Sequence, residues 1–161
     1  MKRTFCILSL LLLAASSVLV SCRSGYHYAL FHEVPEEGWR SKKELFYSFS
    51  IEDTTQLYDI HIDIRYTERY PYNNLVLGII SETNTRRYQT ETVEVRFREA
   101  DTRISKGGYH FHLTSTPVYL KKSFATPGVH TISLQHLMAD TLLVGLEEIG
   151  LRIVKSDTSG T

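Results

Sequence analysis

Cysteine is nearly absent from this chain of 161 residues, with only Cys6 and Cys22, both near the N-terminus. Whatever folds after them has no disulfide and must hold together on an apolar core. There is no Gly-x-Ser-x-Gly elbow and no phosphate-cradling glycine loop, since Gly107-Gly108 is too short to be one. Those absences remove the usual signals of covalent and phosphoryl chemistry. Formal charge balances at zero, so no basic footprint for nucleic acid exists. No window of a dozen residues carries a convincing helical stripe, which excludes a parallel βαβ architecture.

What is present begins with one apolar run. Lys2 and Arg3 precede Ile7–Val20, 14 residues that are almost wholly apolar and end in small side chains. A spanning helix needs roughly 20 such residues, so residues 1–21 read as a signal peptide. Leu19-Val20-Ser21-Cys22 resembles the bacterial lipobox, in which cleavage occurs before a diacylglyceryl-modified cysteine. Cys22 is therefore the expected lipidation site, with residues 22–25 as anchor and short tether. Removing residues 1–21 leaves 140, with 16 basic and 18 acidic side chains. A domain near 150 residues buries about 68–70% of its unfolded surface, enough for a core without staples. Arg23, not Asp, follows the cysteine, and no acidic run comes after it. The expected location is the cell envelope, on the outer membrane facing the periplasm.

Past the tether the dominant period is two. Tyr58, Ile60, Ile62, Ile64 and Tyr66 alternate with Asp59, His61, Asp63 and Arg65; Leu45, Tyr47, Phe49 and Ile51 do the same. Such alternation places one face in a core and the other in water. Leu75–Ile80 is continuously apolar, as for a strand covered on both faces. Val93–Phe97, Tyr109–Leu113, Val118–Leu120, His130–Leu134 and Ile149–Ile153 complete the set. Turn signals separate them at Asp53-Thr54, Pro71 with Asn73-Asn74, Gly107-Gly108 and Pro127-Gly128. Leu134–Leu143 has room for one short helical turn. The pattern predicts an all-β domain over 26–155, an antiparallel two-sheet β-sandwich of about eight strands, jelly-roll-like. Residues 156–161 form a polar tail.

Several constellations compete for a role. His110 and His112, spaced i, i+2, together with His61, have a spacing that can chelate zinc but read more simply as polar residues on a solvated strand face; no metal and no cofactor is expected. Asp59 and Asp63 sit roughly 13 Å apart on an extended strand, and Glu147-Glu148 point to opposite sides of one, so neither makes a glycosidase pair. No catalytic residues emerge, and the chain reads as non-enzymatic. Aromatics remain: ten tyrosines and Trp39. Tyr66, Tyr70, Tyr72, Asn73 and Asn74 cluster around one turn, which with Trp39 forms the candidate recognition set. Rings at such a turn either stack on sugars and anchor protein partners or fold back over the sandwich edge.

The order of these features resembles a known family. Gly38-Trp39, Phe49-Ser50-Ile51, Tyr58–Arg65, Tyr70-Pro71-Tyr72-Asn73-Asn74-Leu75, Gln135–Met138 and Leu146–Ile153 follow the lipobox in sequence. This succession is similar to the gliding-motility lipoprotein GldH family of Bacteroidetes. One departure is Ser105-Lys106-Gly107-Gly108-Tyr109, which lacks the tryptophan of the family's Gly-x-Trp-x-Gly segment. The resemblance implies a membrane-anchored lipoprotein that assembles with envelope proteins of gliding or type IX secretion machinery. It brings no enzymatic activity. A lipid-anchored carbohydrate-binding module, with a glycan as ligand, is the second reading. Asp53-Thr54-Thr55 and Asp140-Thr141-Leu142 resemble the O-glycosylation signal of that phylum, making Thr54 and Thr141 candidate acceptors; ordinary Asp-Thr turns are the simpler reading of both.

Overall fold

The computed structural model describes residues 25–82, 88–97, 102–106 and 109–156. Eleven strands run in chain order: β1 (Tyr28–Glu33), β2 (Trp39–Arg40), β3 (Leu45–Ile51), β4 (Tyr58–Tyr66), β5 (Asn74–Glu82), β6 (Tyr88–Arg96), β7 (Thr102–Lys106), β8 (Tyr109–Lys122), β9 (Gly128–His136), β10 (Leu142–Leu143) and β11 (Leu146–Lys155). No helix occurs among the described residues, so the short turn expected within Leu134–Leu143 is not there. That stretch leaves β9 and returns as β10, which pairs with β2.

Two sheets face each other, ordered β1-β11-β4-β8-β7 and β3-β9-β5-β6, and every pairing is antiparallel. The pairs β5·β6, β4·β8, β3·β9 and β1·β11 nest like one long folded hairpin. That nesting is the jelly-roll arrangement. The count exceeds the expected eight because β1, β7 and the two short strands β2 and β10 are added to it. The runs Tyr109–Leu113 and Val118–Leu120 are also one strand, continuous through Pro117. Among the described residues β7 pairs with β8 only as far as Leu113, and proline is tolerated in a strand where no partner needs its missing N–H.

Burial follows the two-residue period where one face is covered. β3 alternates strictly, with Leu45, Tyr47, Phe49 and Ile51 inside. Ile60, Ile62 and Ile64 of β4 meet Leu77 and Ile79 of β5 within one continuous core. Each fully buried aliphatic side chain contributes about 1.5–3 kcal/mol. Two expectations need correction. The outer side of β4 is not simply solvated, since Asp63 is buried. β5 is covered mainly on one side, with Val76 and Ile80 half-exposed on the other.

The β1–β3 rim is sealed by side chains. His27 Nε2 lies 2.8 Å from the Ser50 carbonyl oxygen and His32 Nε2 lies 2.9 Å from that of Phe46. Two outward carbonyls of edge strand β3 are thereby occupied, which blunts that edge against further strand pairing.

Candidate functional site

The tyrosine turn is a packed corner. After β4, the Tyr70 amide donates to the Thr67 carbonyl (3.1 Å) and the Tyr70 hydroxyl donates to the Asn74 carbonyl (2.9 Å). Tyr66 stacks on Phe97 at 4.3 Å and on His112 at 5.2 Å, while Tyr70 meets Tyr72 edge-on. Only 6% of Tyr70 is exposed, and burial pushes its hydroxyl pKa well up. The Tyr72 hydroxyl donates to the Asp140 carboxylate, which raises its pKa. Asn74 donates to Glu94 at 2.9 Å; Asn73 is exposed, and its carbonyl accepts from Phe97 N. Trp39 is buried too, its Nε1 donating to the Lys43 carbonyl at 2.8 Å. Trp39 and Tyr70 thus cannot offer the exposed contact expected of them. Tyr66 and Tyr72 are half-buried, their rings turned onto neighbours. What closes the corner was missed in the sequence: Gly145, at φ +83°, lies so close that a Cβ would stand 2.3 Å from Tyr70 N.

Behind Trp39 sits His136, 1% exposed, with Nε2 3.1 Å from the Trp39 carbonyl oxygen and Nδ1 buried without a partner. Burial holds its pKa below the ordinary 6.5. The unfolded chain takes up this proton as pH falls through about 6.5, while the folded chain resists until its depressed value. Stability from this site is therefore full above pH 6.5 and is lost on acidification below it. Urea unfolding at pH 7.5 and 5.5 should show a larger loss for the native chain than for His136→Gln; equal losses would exclude His136 as the cause.

Other expected residues separate. His112 packs on Tyr66 instead of facing water, and His61 pairs across from Pro117, several residues along the sheet. Among the described residues no three His, Cys, Asp or Glu side chains converge on a common point. The acids of β4 are structural. Asp59 accepts from Lys121 N (2.7 Å) and Ser156 Oγ (2.5 Å), which lowers its pKa. Asp63 accepts from Arg152 Nε (2.8 Å) and Nη2 (3.1 Å) and from Ser115 Oγ (2.5 Å). Asp53 turns its carboxylate onto Thr55 N (2.8 Å) and Oγ1 (2.6 Å), a local turn with Thr54 half-buried. Thr141, by contrast, is exposed. Cys22 lies outside the described residues, as do Gly107-Gly108 and most of the tail.

One open concavity stands out, a cleft of about 570 Å³ lined by Glu33, Glu36, Arg65, Arg69, Glu147 and Glu148 among others. Of its lining residues, Arg65 pairs with Glu148 at 2.8 Å and lies over the Phe111 ring at 4.5 Å. Glu147 and Glu148 both reach the cleft, where strand alternation predicted opposite sides. The reason is a register shift: Leu146 pairs with Tyr66 and Glu148 with Arg65, so Glu147 bulges out of the ladder. The cleft is at the far end from Gly25. Tyr28 pairs with Ile153 and Ile153 with Ile60, whereas Glu33 pairs with Glu148 and Glu148 with Arg65. Five residues of strand separate these levels, roughly 17 Å.

Comparison with known proteins bears on what such a chain is. The GldH lipoprotein family model matches residues 26–153. The gliding motility lipoprotein GldH of Flavobacterium johnsoniae is 22% identical over 156 residues, covering 91% of this chain and 96% of that one. Among solved structures, a two-domain esterase active on acetylated mannans, co-crystallised with mannopentaose, is 13% identical with a TM-score of 0.37. That likeness covers 84% of this chain and 38% of the esterase, too distant to carry an argument about either fold or activity. With the family model matched over almost the whole described sandwich, this chain belongs to the GldH lipoprotein family, the lipoproteins associated with gliding motility.

Proposed function

We propose that this protein is a non-enzymatic docking body, tethered through lipidated Cys22 to the periplasmic face of the outer membrane. There it assembles with envelope proteins of the gliding or type IX secretion machinery. The observation that carries the reading is the charged cleft at the end of the sandwich away from the tether. Four carboxylates line it against two guanidiniums, and Arg65 is already committed to Glu148. The remaining negative charge suits a basic loop or terminal segment of a partner protein. Complementary charge of this kind steers encounter and fixes register more than it adds affinity.

Glu33 and Glu147 are both exposed, so reversing them leaves the core untouched. Affinity isolation from mildly crosslinked envelopes should recover a partner with the native chain. Recovery should fall about tenfold with Glu33→Lys and Glu147→Lys combined, equivalent to ~1.4 kcal/mol, and should weaken as salt rises. Undiminished recovery with the doubly reversed cleft would refute docking at this place.

A further inference from the structure

We propose that the β1–β3 rim is a membrane-contact surface, resting in the headgroup region of the bilayer that holds the chain. The proposal rests on the tether reading above and specifies how the sandwich lies against the lipid.

Large exposed hydrophobic side chains are not scattered evenly. Among the described residues there are seven: Tyr26, Leu30, Phe31, Phe46, Leu120, Val129 and Leu137. Four of them lie on or beside the two rim strands, and a fifth, Val129, is on the neighbouring strand β9. Tyr26 lies just ahead of β1, while Leu30 and Phe31 belong to it. Phe46 lies on β3, and Val129 is on β9 opposite Ser50 of β3. The His27 and His32 contacts tie the two strands together, so Tyr26, Leu30, Phe31 and Phe46 flank one border from its two sheets, with Val129 one strand further in. Phe31 covers Gly150 on the outer side of one sheet, where any Cβ would stand 2.4 Å from its ring. Phe46 is 57% exposed, on the other sheet. A monomer seldom leaves such a grouping uncovered.

Two observations select the occupant. The first is where the chain leaves the described structure: Gly25 adjoins Tyr26 and is three residues from Cys22. At ~3.3 Å per extended residue, the Tyr26 end of the rim can stand only about 10–15 Å from a lipidated thiol, with Phe31 further along β1 and Phe46 beside its His32. The second is that the rim's backbone is already engaged. The outward carbonyls of Phe46 and Ser50 receive histidine side chains, so a protein adding a strand would find them occupied. Lipid asks only for apolar area, and aromatic rings with a polar edge, such as Tyr26, settle at the headgroup level.

No cysteine follows Cys22 in the sequence, so single introduced cysteines can be labelled selectively. Phe31→Cys, Phe46→Cys and Val129→Cys would each take an environment-sensitive fluorophore, with Leu120→Cys and Leu137→Cys as controls. All five positions are exposed, so folding is spared. The proteins would be reconstituted into phosphatidylethanolamine–phosphatidylglycerol vesicles, with and without spin-labelled lipid. Emission should rise about threefold at 31, 46 and 129, be quenched by the spin label there, and change little at 120 and 137. Vesicle-bound protein in which all five respond alike, or none does, would overturn the rim contact while leaving the tether intact. Protein that fails to float with vesicles at all would overturn the tether and the rim contact together. A response at the rim that appears only when envelope proteins are added would also overturn it, assigning the rim to a protein.

Discussion

Gly145→Ala is expected to cost about 2–5 kcal/mol and to lower the melting temperature by roughly 10 °C, although the change adds one methyl group. Two costs combine. Gly145 has φ +83°, where an L side chain costs about 1–2 kcal/mol. The added Cβ would also stand 2.3 Å from Tyr70 N and 2.6 Å from the Arg69 carbonyl carbon, both main chain. Main chain cannot rotate away, so the corner must open, and forcing volume into a packed site costs about 1–3 kcal/mol. The Gly145 carbonyl is also the acceptor for Thr67 N at 2.8 Å, so the movement loosens the turn after β4 as well. A thermal melt followed by circular dichroism checks this. A midpoint within about 2 °C of the native chain would show that the corner yields freely and does not set the end of the sandwich.

Arg152→Met should be comparably damaging for a different reason. Asp63 keeps only 7% of its side chain exposed, and Arg152 meets it with two nitrogens. Removing one partner of a buried pair costs about 3–5 kcal/mol, because the remaining charge is stranded away from water. With Arg152 itself about one-fifth exposed, the lower end of that range applies. Ser115 cannot neutralise the carboxylate it is left with. Replacing both charges, as Asp63→Leu with Arg152→Met, should recover most of the loss, since the site then needs no solvation. Urea unfolding of the single and double variants measures the coupling directly. A double variant as unstable as Arg152→Met alone would contradict the pairing argument and assign the loss to the packing of Arg152, whose guanidinium lies 5.2 Å from the Tyr26 ring centre.

These two sites show what could be read from the chain and what could not. β3 and β4 were legible because each buries one face, and the period of two is then written in the side chains. β1 was not, since Phe31 and Leu30 are both exposed on an edge strand and blur the alternation. The tyrosine turn was found as a turn, but its burial was hidden. A tyrosine carries both an apolar ring and a hydroxyl, and the same letter suits a core or a surface. Its closing partner, Gly145, is 75 residues from Tyr70, a contact that no local pattern announces. Asp63 and Arg152 are 89 residues apart, which is why Asp63 looked like one more solvated acid on an outer face. The cleft was least legible of all. It joins the ends of β1 and β4 with a bulge at Glu147, and a bulge breaks the alternation on which strand reading depends.

A body held at a membrane through Cys22 is tested most directly by intact-mass analysis of the protein extracted from its own envelope. The chain should begin at Cys22, with residues 1–21 gone, and should carry the added mass of a diacylglyceryl group with or without a further acyl chain. A mature chain that begins elsewhere, or that begins at Cys22 with a free thiol and leaves the membrane without detergent, would contradict the tether and the docking role built on it.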